Sequence, residues 1–192
     1  MRALIDRVGP LDDEALRRGR PRPDDAYGAL LRAIVGQQLS TFAARAIYGR
    51  VLDLFGGRAP TPAELLAVEP DTLRAAGLSR AKVAYLRDLG ARVQSGELEV
   101  DRLAELPDEE VYAQLLAVKG LGRWSVDVFL IFFLRRPDVL AVGDLGIRRA
   151  VQLAYGLPAR PTPVAVERIA EPWRPYRTTA GLYLWTSLDA MP

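Results

Sequence analysis

Apolar residues recur at intervals of three and four positions along most of this chain, which is the spacing of helices with one buried face. The pattern predicts helices over residues 26–55, 61–68, 70–76, 80–94, 107–118, 124–134, 144–155, 163–170 and 176–188. The first of these is either one long helix or two helices broken near residues 40–41. The one β-like stretch, 139–142, is short, so we predict an all-α fold that is not a simple bundle.

Small polar residues mark the starts of several predicted helices. Thr61 is followed by Pro62 and, three residues after the cap, by Glu64, which is the pattern of a capping box. Ser79 and Asp144 stand at the N-cap positions of two further helices, where a side-chain oxygen accepts a backbone N–H. These three positions are therefore predicted helix starts.

Composition limits the chemistry available to the chain. Of its 192 residues 49% are apolar, which suits one compact unit or two small lobes. The sequence contains no cysteine and no histidine, so disulfides, iron–sulfur clusters and thiolate zinc sites are excluded. Acid–base or nucleophilic chemistry then falls to carboxylates, lysine, tyrosine, serine or threonine.

The distribution of charged residues bears on location and partners. The longest apolar run, 126–134, is too short to span a membrane and carries Asp127, and Asp6 interrupts the apolar stretch that a signal peptide needs. We therefore expect a cytoplasmic protein with no membrane partner. Within residues 112–150 basic residues outnumber acidic ones by six to three. This excess fits a polyanionic partner, and a solvated helix surface explains it equally well.

The segment 115–127, with the sequence LLAVKGLGRWSVD, is predicted to form a helix, a tight turn and a second helix. Gly120 and Gly122 allow a sharp reversal and a close approach of the backbone to another surface. The second helix begins directly after them, so its unpaired N–H groups, together with Arg123, can bind an anion such as a phosphate. An ordinary glycine cap at a helix end is the alternative interpretation.

The same segment resembles the helix-hairpin-helix motif of the base-excision DNA glycosylases, in the branch of the AlkA-type DNA-3-methyladenine glycosylase II. Three further segments are similar to that branch, in the same order and with matched spacing: IVGQQLS at 34–40, VGDLGIRRA at 142–150 and PWRPYRTTAGLYLW at 172–185. The resemblance covers almost the whole chain. It implies two helical lobes flanking a cleft, with the hairpin beside the active site.

The resemblance also assigns residues to the two lobes. Residues 26–134 are expected to form a continuous six-helix barrel lobe that carries the hairpin. Residues 1–25 and 135–192 are expected to form the second lobe together. A monomer is expected, acting on double-stranded DNA that contains damaged bases and associated with the nucleoid while it is bound there.

The function implied by the resemblance is hydrolysis of the N-glycosidic bond of an alkylated base, such as 3-methyladenine or 7-methylguanine, after the base has been flipped out. Asp144 matches the catalytic aspartate, whose carboxylate offsets the positive charge that grows on the sugar. A role as a helix cap is compatible with this, since N–H donors favour the charged carboxylate. Trp124 stands where bifunctional relatives carry a Schiff-base lysine, so the enzyme is expected to be monofunctional.

The base pocket is expected to be aromatic. Trp124 and Trp185 match pocket positions of the branch, and indole faces attract cationic methylated purines. Core packing or an exposed anchor is the alternative for each tryptophan. Val128 and Leu145 stand where AlkA-type enzymes present tyrosines, which suggests a wider pocket and a broader range of lesions.

The resemblance implies further contacts with DNA. Gln38, or alternatively Leu39, matches the wedge that fills the gap left by the flipped base. Gln37 and Gln38 interrupt an otherwise apolar helical run, and the other interpretation is a polar pair at a helix kink. Backbone phosphates are expected at a set of glycines and basic residues: Gly120, Gly122, Lys119, Arg123, Arg148 and Arg149. The carbonyls of Leu116, Val118 and Leu121 are candidate ligands for Na⁺ or K⁺, and no other cofactor and no iron–sulfur cluster is expected.

Three other functions are compatible with parts of the sequence. The first is a glycosylase of the same superfamily that acts on oxidised or mismatched bases. The second is a helix-hairpin-helix module that binds DNA without catalysis. The third is a helical protein–protein adaptor, which salt-dependent binding to duplex DNA would distinguish from the other two.

Overall fold

The computed structural model describes residues 1–11 and 25–189, and the structural statements that follow concern these ranges. They form α-helices joined by short loops, with 3₁₀ turns at Val100–Arg102 and Glu171–Trp173. The helices are α1 (Arg2–Val8), α2 (Ala26–Gly36), α3 (Thr41–Asp53), α4 (Pro62–Ala67), α5 (Pro70–Ala75), α6 (Arg80–Gln94), α7 (Asp108–Leu116), α8 (Arg123–Phe132), α9 (Leu145–Ala154), α10 (Pro163–Ala170) and α11 (Arg177–Asp189).

The predicted all-α class is confirmed, since the described ranges contain no strand and the β-like stretch 139–142 lies in a connecting loop. The predicted segment 26–55 forms two helices. They are separated at Gln38, whose φ of 57° is incompatible with a continuous right-handed helix. Ser40 caps the second helix by accepting the N–H of Ala43 at 3.2 Å. In the described part of the chain, no helix combines the length and the apolarity needed to cross a membrane.

The predicted helix starts are confirmed by their hydrogen bonds. Thr61 and Glu64 form a reciprocal capping box at the start of α4. The Ser79 side chain accepts the N–H of Lys82 at 3.2 Å at the start of α6. These caps satisfy N–H groups that have no partner inside the helix, so the positions are set by local sequence.

The described residues fall into two compact units. One, the terminal unit, lies within Met1–Pro21 and Leu130–Pro192, and the other, the middle unit, lies within Arg22–Phe129. The boundary therefore falls inside α8. The lobe boundaries predicted from the sequence, at 25/26 and 134/135, stay a prediction.

The middle unit is organised around α6. Its residues Val83, Leu86 and Leu89 recur at the helical spacing and are buried. They face a core to which α2, α4 and α5 contribute, including the fully buried Ile34 and Leu65. Burying a side chain of this size stabilises the fold by about 1.5–3 kcal/mol. The helix is therefore a fixed base for the loops that lie beside it.

The terminal unit is built on α9 and α11. Ile147, Ala150 and Val151 form the buried face of α9, at spacings of three and four. They share one core with Leu184 of α11 and Val166 of α10. Asp144, the residue that caps α9, and α11 therefore belong to the same packed structure.

A polar cluster ties the start of α11 to the loop that precedes α9. The Arg177 side chain donates to the Asp138 carboxylate at 2.7 and 2.9 Å, and Arg174 donates to it at 2.6 Å. The Thr178 hydroxyl donates to the carbonyl of Arg136 at 2.6 Å and accepts the N–H of Val139 at 3.0 Å. Partial burial opposes the charge of Asp138, but the bonds and charges of the two arginines outweigh burial and lower its pKa.

The turn between α7 and α8 requires glycine at one position. Gly120 has a φ of 81°, and a Cβ built on it would overlap the ring of Tyr85 on α6. Gly122 has open space around it and lies outside the left-handed region. Its carbonyl accepts the N–H groups of Ser125 and Val126, so it is the N-cap of α8. Glycine is therefore required at position 120 by backbone conformation and close packing, whereas at position 122 it caps α8 and leaves the space around it open.

We predict that Asp138→Asn lowers the free energy of unfolding at pH 7 by about 1–3 kcal/mol, because two arginines lose a charged partner. A carboxylate with a lowered pKa contributes stability above its ordinary pKa of 3.8, and this contribution is lost as the pH falls through the folded value. The difference between variant and wild type should therefore shrink below about pH 4. Urea denaturation across this pH range measures it. The exposed Asp101→Asn is the control, and an equal effect of both variants would contradict the prediction.

We predict that Gly120→Ala destabilises the protein by about 2–4 kcal/mol, because a side chain at positive φ is strained and this one overlaps an aromatic ring. Gly122→Ala is the matched control and should cost less than about 1 kcal/mol, the range for an altered N-cap. Urea denaturation followed by circular dichroism gives both values. Equal stability of the two variants would show that the close packing of Gly120 on Tyr85 is unimportant.

Candidate functional site

Asp144 is held in one orientation at the start of α9. It has extended backbone angles (φ −66°, ψ 128°), and its Oδ1 accepts the N–H of Ile147 at 2.8 Å. The same oxygen accepts the indole N–H of Trp185 at 2.9 Å. The side chain is half-buried. The carboxylate therefore lies against an indole ring and is fixed by donors from two helices of the terminal unit.

The surroundings of this carboxylate are tightly packed. Trp185 stacks on Phe132, with ring centroids 5.7 Å apart and an angle of 29° between the planes. A Cβ built on Gly146 would lie 2.9 Å from Oδ1 of Asp144 and 3.4 Å from Cδ1 of Trp185. Any larger residue at position 146 would push the carboxylate or the indole away. Sequence reasoning missed Phe132, since an aromatic residue in an apolar helix gives no sign of its partner.

This geometry is suited to stabilising a cation. A carboxylate that is fixed before the reaction does not need to reorganise when positive charge develops beside it, so it stabilises such a transition state efficiently. Trp185 supplies the N–H that orients the carboxylate, and its ring stacks on Phe132. Trp185 therefore has a positioning contact in addition to the pocket role predicted from the sequence.

The other predicted residues of the terminal unit lie along α9. Leu145 is the first residue of the helix and is 61% exposed. The Nε of Arg148 donates to the carbonyl of Pro161 at 2.7 Å, and the exposed Arg149 donates to the side chain of Gln152 at 2.9 Å. Arg148 thus has a structural contact within its own unit that the sequence did not reveal.

In the middle unit, the hairpin turn is anchored to α6 through Asp88. The backbone N–H of Lys119 donates to this carboxylate at 2.9 Å, and the ammonium group of Lys119 lies 3.5 Å from its other oxygen. Partial burial opposes the charge of Asp88, but the bonds from Lys119 and from Arg92 outweigh it and lower its pKa. Asp88 therefore stays ionised and fixes the hairpin, a role that no local signal predicts.

Arg123, the first residue of α8, lies over an aromatic ring. Its guanidinium carbon is 4.7 Å from the centroid of Tyr112. The Tyr112 hydroxyl donates to Asp127, which is only 2% exposed. Burial, and then the hydrogen bond and charge of Asp127, raise the pKa of Tyr112, so the hydroxyl remains a donor. The charge of Arg123 is consequently held close to the start of α8.

The predicted pocket residues of the middle unit share one face of α8. Trp124 and Val128 are four residues apart, which places them one above the other on the helix. Trp124 is 45% exposed and Val128 is half-buried. An indole exposed to this degree is not packed in the core, so of the two alternatives for Trp124 only an exposed anchor remains beside the predicted pocket role.

The three carbonyls predicted as cation ligands belong to consecutive parts of the hairpin. Leu116 is the last residue of α7, and the turn carries Val118 and Leu121. The carbonyl of Val118 already accepts the N–H of Leu121 at 3.2 Å, which leaves one of its two lone pairs for an ion. Among the described residues, no three His, Cys, Asp or Glu side chains are grouped as metal ligands.

The predicted wedge lies in the turn between α2 and α3. Gln38 is exposed in a left-handed conformation, and the adjacent Leu39 is 36% exposed. The Gln37 side chain contacts the hairpin: its Nε2 donates to the carbonyl of Gly120 at 2.8 Å and to the Ser125 hydroxyl at 3.3 Å. The sequence signalled Gln37 as a polar interruption of an apolar run, without showing its partners.

A second exposed apolar residue stands next to this turn. Phe42, in the first turn of α3, is 86% exposed, which is unusual for phenylalanine. The helical periodicity gave no signal for it, because an aromatic residue in a predicted amphipathic helix is normally assigned to the core.

Proteins with similar sequences support a common family. DNA-3-methyladenine glycosylase 1 of Schizosaccharomyces pombe is 37% identical over 163 residues, which is 84% of this chain and 72% of that relative. DNA-3-methyladenine glycosylase 2 of Escherichia coli is 30% identical over 170 residues, and this stretch covers 84% of the chain and 57% of that enzyme.

Two solved structures with the same fold are also named as 3-methyladenine glycosylases. The S. pombe 3-methyladenine DNA glycosylase in complex with abasic DNA matches with a TM-score of 0.87 and 33% identity, covering 98% of this chain and 90% of its own. The DNA-3-methyladenine glycosidase of Bacillus halodurans matches with a TM-score of 0.80 and 34% identity, covering 97% and 88%.

The family profile of the HhH-GPD superfamily base excision DNA repair proteins matches residues 31–175, which include the hairpin, the turn with the two glutamines and Asp144. This range is most of the chain. The chain belongs to the HhH-GPD superfamily of base excision DNA repair proteins.

Proposed function

We propose that this protein is a monofunctional DNA glycosylase that removes alkylated bases, among them 3-methyladenine and 7-methylguanine, from double-stranded DNA. The names of the relatives and of the matching structures support this substrate class. The observation that carries the proposal is the Asp144 carboxylate, which accepts hydrogen bonds from Ile147 and from the indole of Trp185.

In the proposed reaction, the bond between C1′ of the sugar and the base nitrogen breaks, and its electron pair leaves with the base. Positive charge then develops on the sugar, and the fixed carboxylate of Asp144 stabilises it. A water oxygen bonds to C1′ and loses a proton to solvent. The products are a free base and an abasic site in an unbroken strand. Asp144 needs no cofactor for this role.

The residues proposed to contact the flipped base are Trp124 and Val128 in the middle unit and Leu145 and Trp185 in the terminal unit. A base methylated at N3 or N7 of a purine is cationic and has a weakened glycosidic bond, so aromatic faces and one carboxylate are adequate for its release. Val128 and Leu145 are smaller than the tyrosines of AlkA-type enzymes. We infer from this that bulkier alkylated bases are also accepted.

The proposed DNA contacts are supported by the geometry of the hairpin. The N–H groups at the start of α8 follow Gly122, whose surroundings are open, and a phosphate can approach them closely. Lys119 and Arg123 in the middle unit, with Arg148 and Arg149 in the terminal unit, are proposed to contact further phosphates. The carbonyls of Leu116, Val118 and Leu121 are proposed to hold Na⁺ or K⁺ beside the DNA, and the protein is proposed to act as a monomer.

We predict that Asp144→Asn folds normally, since asparagine caps a helix as well as aspartate does. It should excise 3-methyladenine and 7-methylguanine at least about 100-fold more slowly, which is the typical loss when one electrostatic stabiliser is removed. Mass spectrometry of bases released from methylated DNA measures the rate, and a set of duplexes with other lesions defines the range. Asp101→Asn is the matched control.

Three outcomes of this assay would contradict the proposal. Excision at the wild-type rate by Asp144→Asn would remove that residue from the mechanism. Duplex binding without release of any base would show a non-catalytic DNA-binding module. Strand cleavage by the wild-type protein, with an imine trapped by borohydride, would show a lyase and contradict the role of Trp124 at the lysine position.

We predict that Trp185→Phe reduces the rate of excision by about tenfold or more, because the ring is kept while the hydrogen bond to a charged acceptor is lost. Single-turnover kinetics on a 7-methylguanine duplex measure the effect. Trp173→Phe is the control, since Trp173 lies in the same unit beside Tyr155, with ring centroids 6.4 Å apart and an angle of 31° between the planes. An unchanged rate for Trp185→Phe would show that the indole N–H does not position the carboxylate.

A further inference from the structure

We propose that Gln37 is a positioning residue that joins the wedge turn to the hairpin. It fixes the distance between the part of the protein that binds a phosphate and the side chain that enters the base stack. The inference rests on the proposed function, because it assigns a role within the same DNA-binding surface. It concerns a residue whose neighbour Gln38, and not Gln37 itself, was predicted to contact DNA.

The Gln37 amide bonds to both sides of the segment proposed to face the phosphate. Its Nε2 donates to the carbonyl of Gly120, in the turn, at 2.8 Å and to the hydroxyl of Ser125, in the first turn of α8, at 3.3 Å. Ser125 is only 6% exposed, so this end of the contact is fixed in the core. Gly122 and Arg123 lie between the two acceptors in the sequence. One side chain therefore ties the wedge turn to the anion-binding end of α8.

The backbone of the wedge turn is held from a second direction by α6. The Lys82 ammonium group donates to the carbonyls of Val35 at 2.7 Å and of Gln37 at 2.8 Å. Tyr85, three residues later on the same helix, packs beneath Gly120. The wedge turn and the hairpin thus share one support, and the Gln37 amide connects them directly.

A fixed connection matters because DNA itself has a fixed repeat. Phosphates along one strand advance by about 3.4 Å along the helix axis at each base step, so a side chain that enters the stack must lie at a set distance from the residues that bind the phosphate. If the wedge turn were loose, ordering it on binding would reduce affinity. This cost arises only when the wedge enters a gap, so it affects DNA with a missing or flipped base and leaves intact duplex unaffected.

Gln37→Met tests the inference, since methionine has a similar length and no N–H donor. Binding is measured on two duplexes of one sequence, one intact and one with a stable abasic-site analogue. We expect affinity for the intact duplex within about twofold of wild type and a loss of about three- to tenfold on the abasic duplex, the effect of one hydrogen bond. Gln94→Met, at an exposed position of α6, is the matched control and should change neither.

A double-mutant cycle separates positioning from a merely structural role. If Gln37 sets the position of the wedge, Gln38→Ala should weaken abasic binding less in the Gln37→Met background than alone, by about threefold or more. Gln37→Leu also removes the donor without adding a charge, so it should show the same selective loss. It carries the test if Gln37→Met fails to fold, as judged by its denaturation midpoint.

The possible failures are distinguishable. Equal weakening on both duplexes, or strictly additive effects of Gln37→Met and Gln38→Ala, would overturn the role of Gln37 and leave the proposed function intact. Failure of the wild-type protein to bind either duplex, even at low salt, would overturn the proposed function and the inference together.

Discussion

The hydrogen bond from the Trp185 indole to the Asp144 carboxylate is the contact on which the proposed chemistry depends. It requires α11 to be seated on α9, because the donor and the acceptor lie 41 positions apart in the sequence. The packing of Leu184 with Ile147 provides this seating, and the cluster around Asp138 fixes where α11 begins. The orientation of the Asp144 carboxylate in the terminal unit therefore depends on both the core packing and the ion pairs of Asp138.

In the middle unit, the backbone N–H groups at the start of α8 follow an exposed glycine, which has no side chain to cover them. Gly122 leaves the start of α8 open, whereas Gly120 lets the turn lie on Tyr85. Asp88 then fixes the turn through the N–H of Lys119. A loop used for binding is usually more mobile than its scaffold. Here α6 supports the loop from below, which reduces the conformational entropy that DNA binding would otherwise have to remove.

The sequence predicted those features that are set by residues close together in the chain. The caps at Thr61, Ser79 and Asp144 were predictable because each is a bond between a side chain and an N–H three residues away. The contacts of Gln37 were not predictable, since its acceptor in Gly120 is 83 positions away. The same applies to the stacking of Phe132 on Trp185. The resemblance to a family indicated Asp144 and Trp185 as site residues, but only tertiary packing shows that they bond to one another.

The proposed chemistry places the Asp144 carboxylate next to DNA phosphates that repel it, and the structure contains groups that reduce this repulsion. Oδ1 of Asp144 accepts two N–H donors, and the positive end of the α9 dipole lies at the same place. Arg148 and Arg149 follow within the next turns of α9. These donors and charges make the surroundings of the carboxylate less negative without neutralising the group itself. In the proposed reaction the negative charge therefore remains available to the sugar, while the nearby donors and positive charges weaken its longer-range repulsion of the DNA backbone.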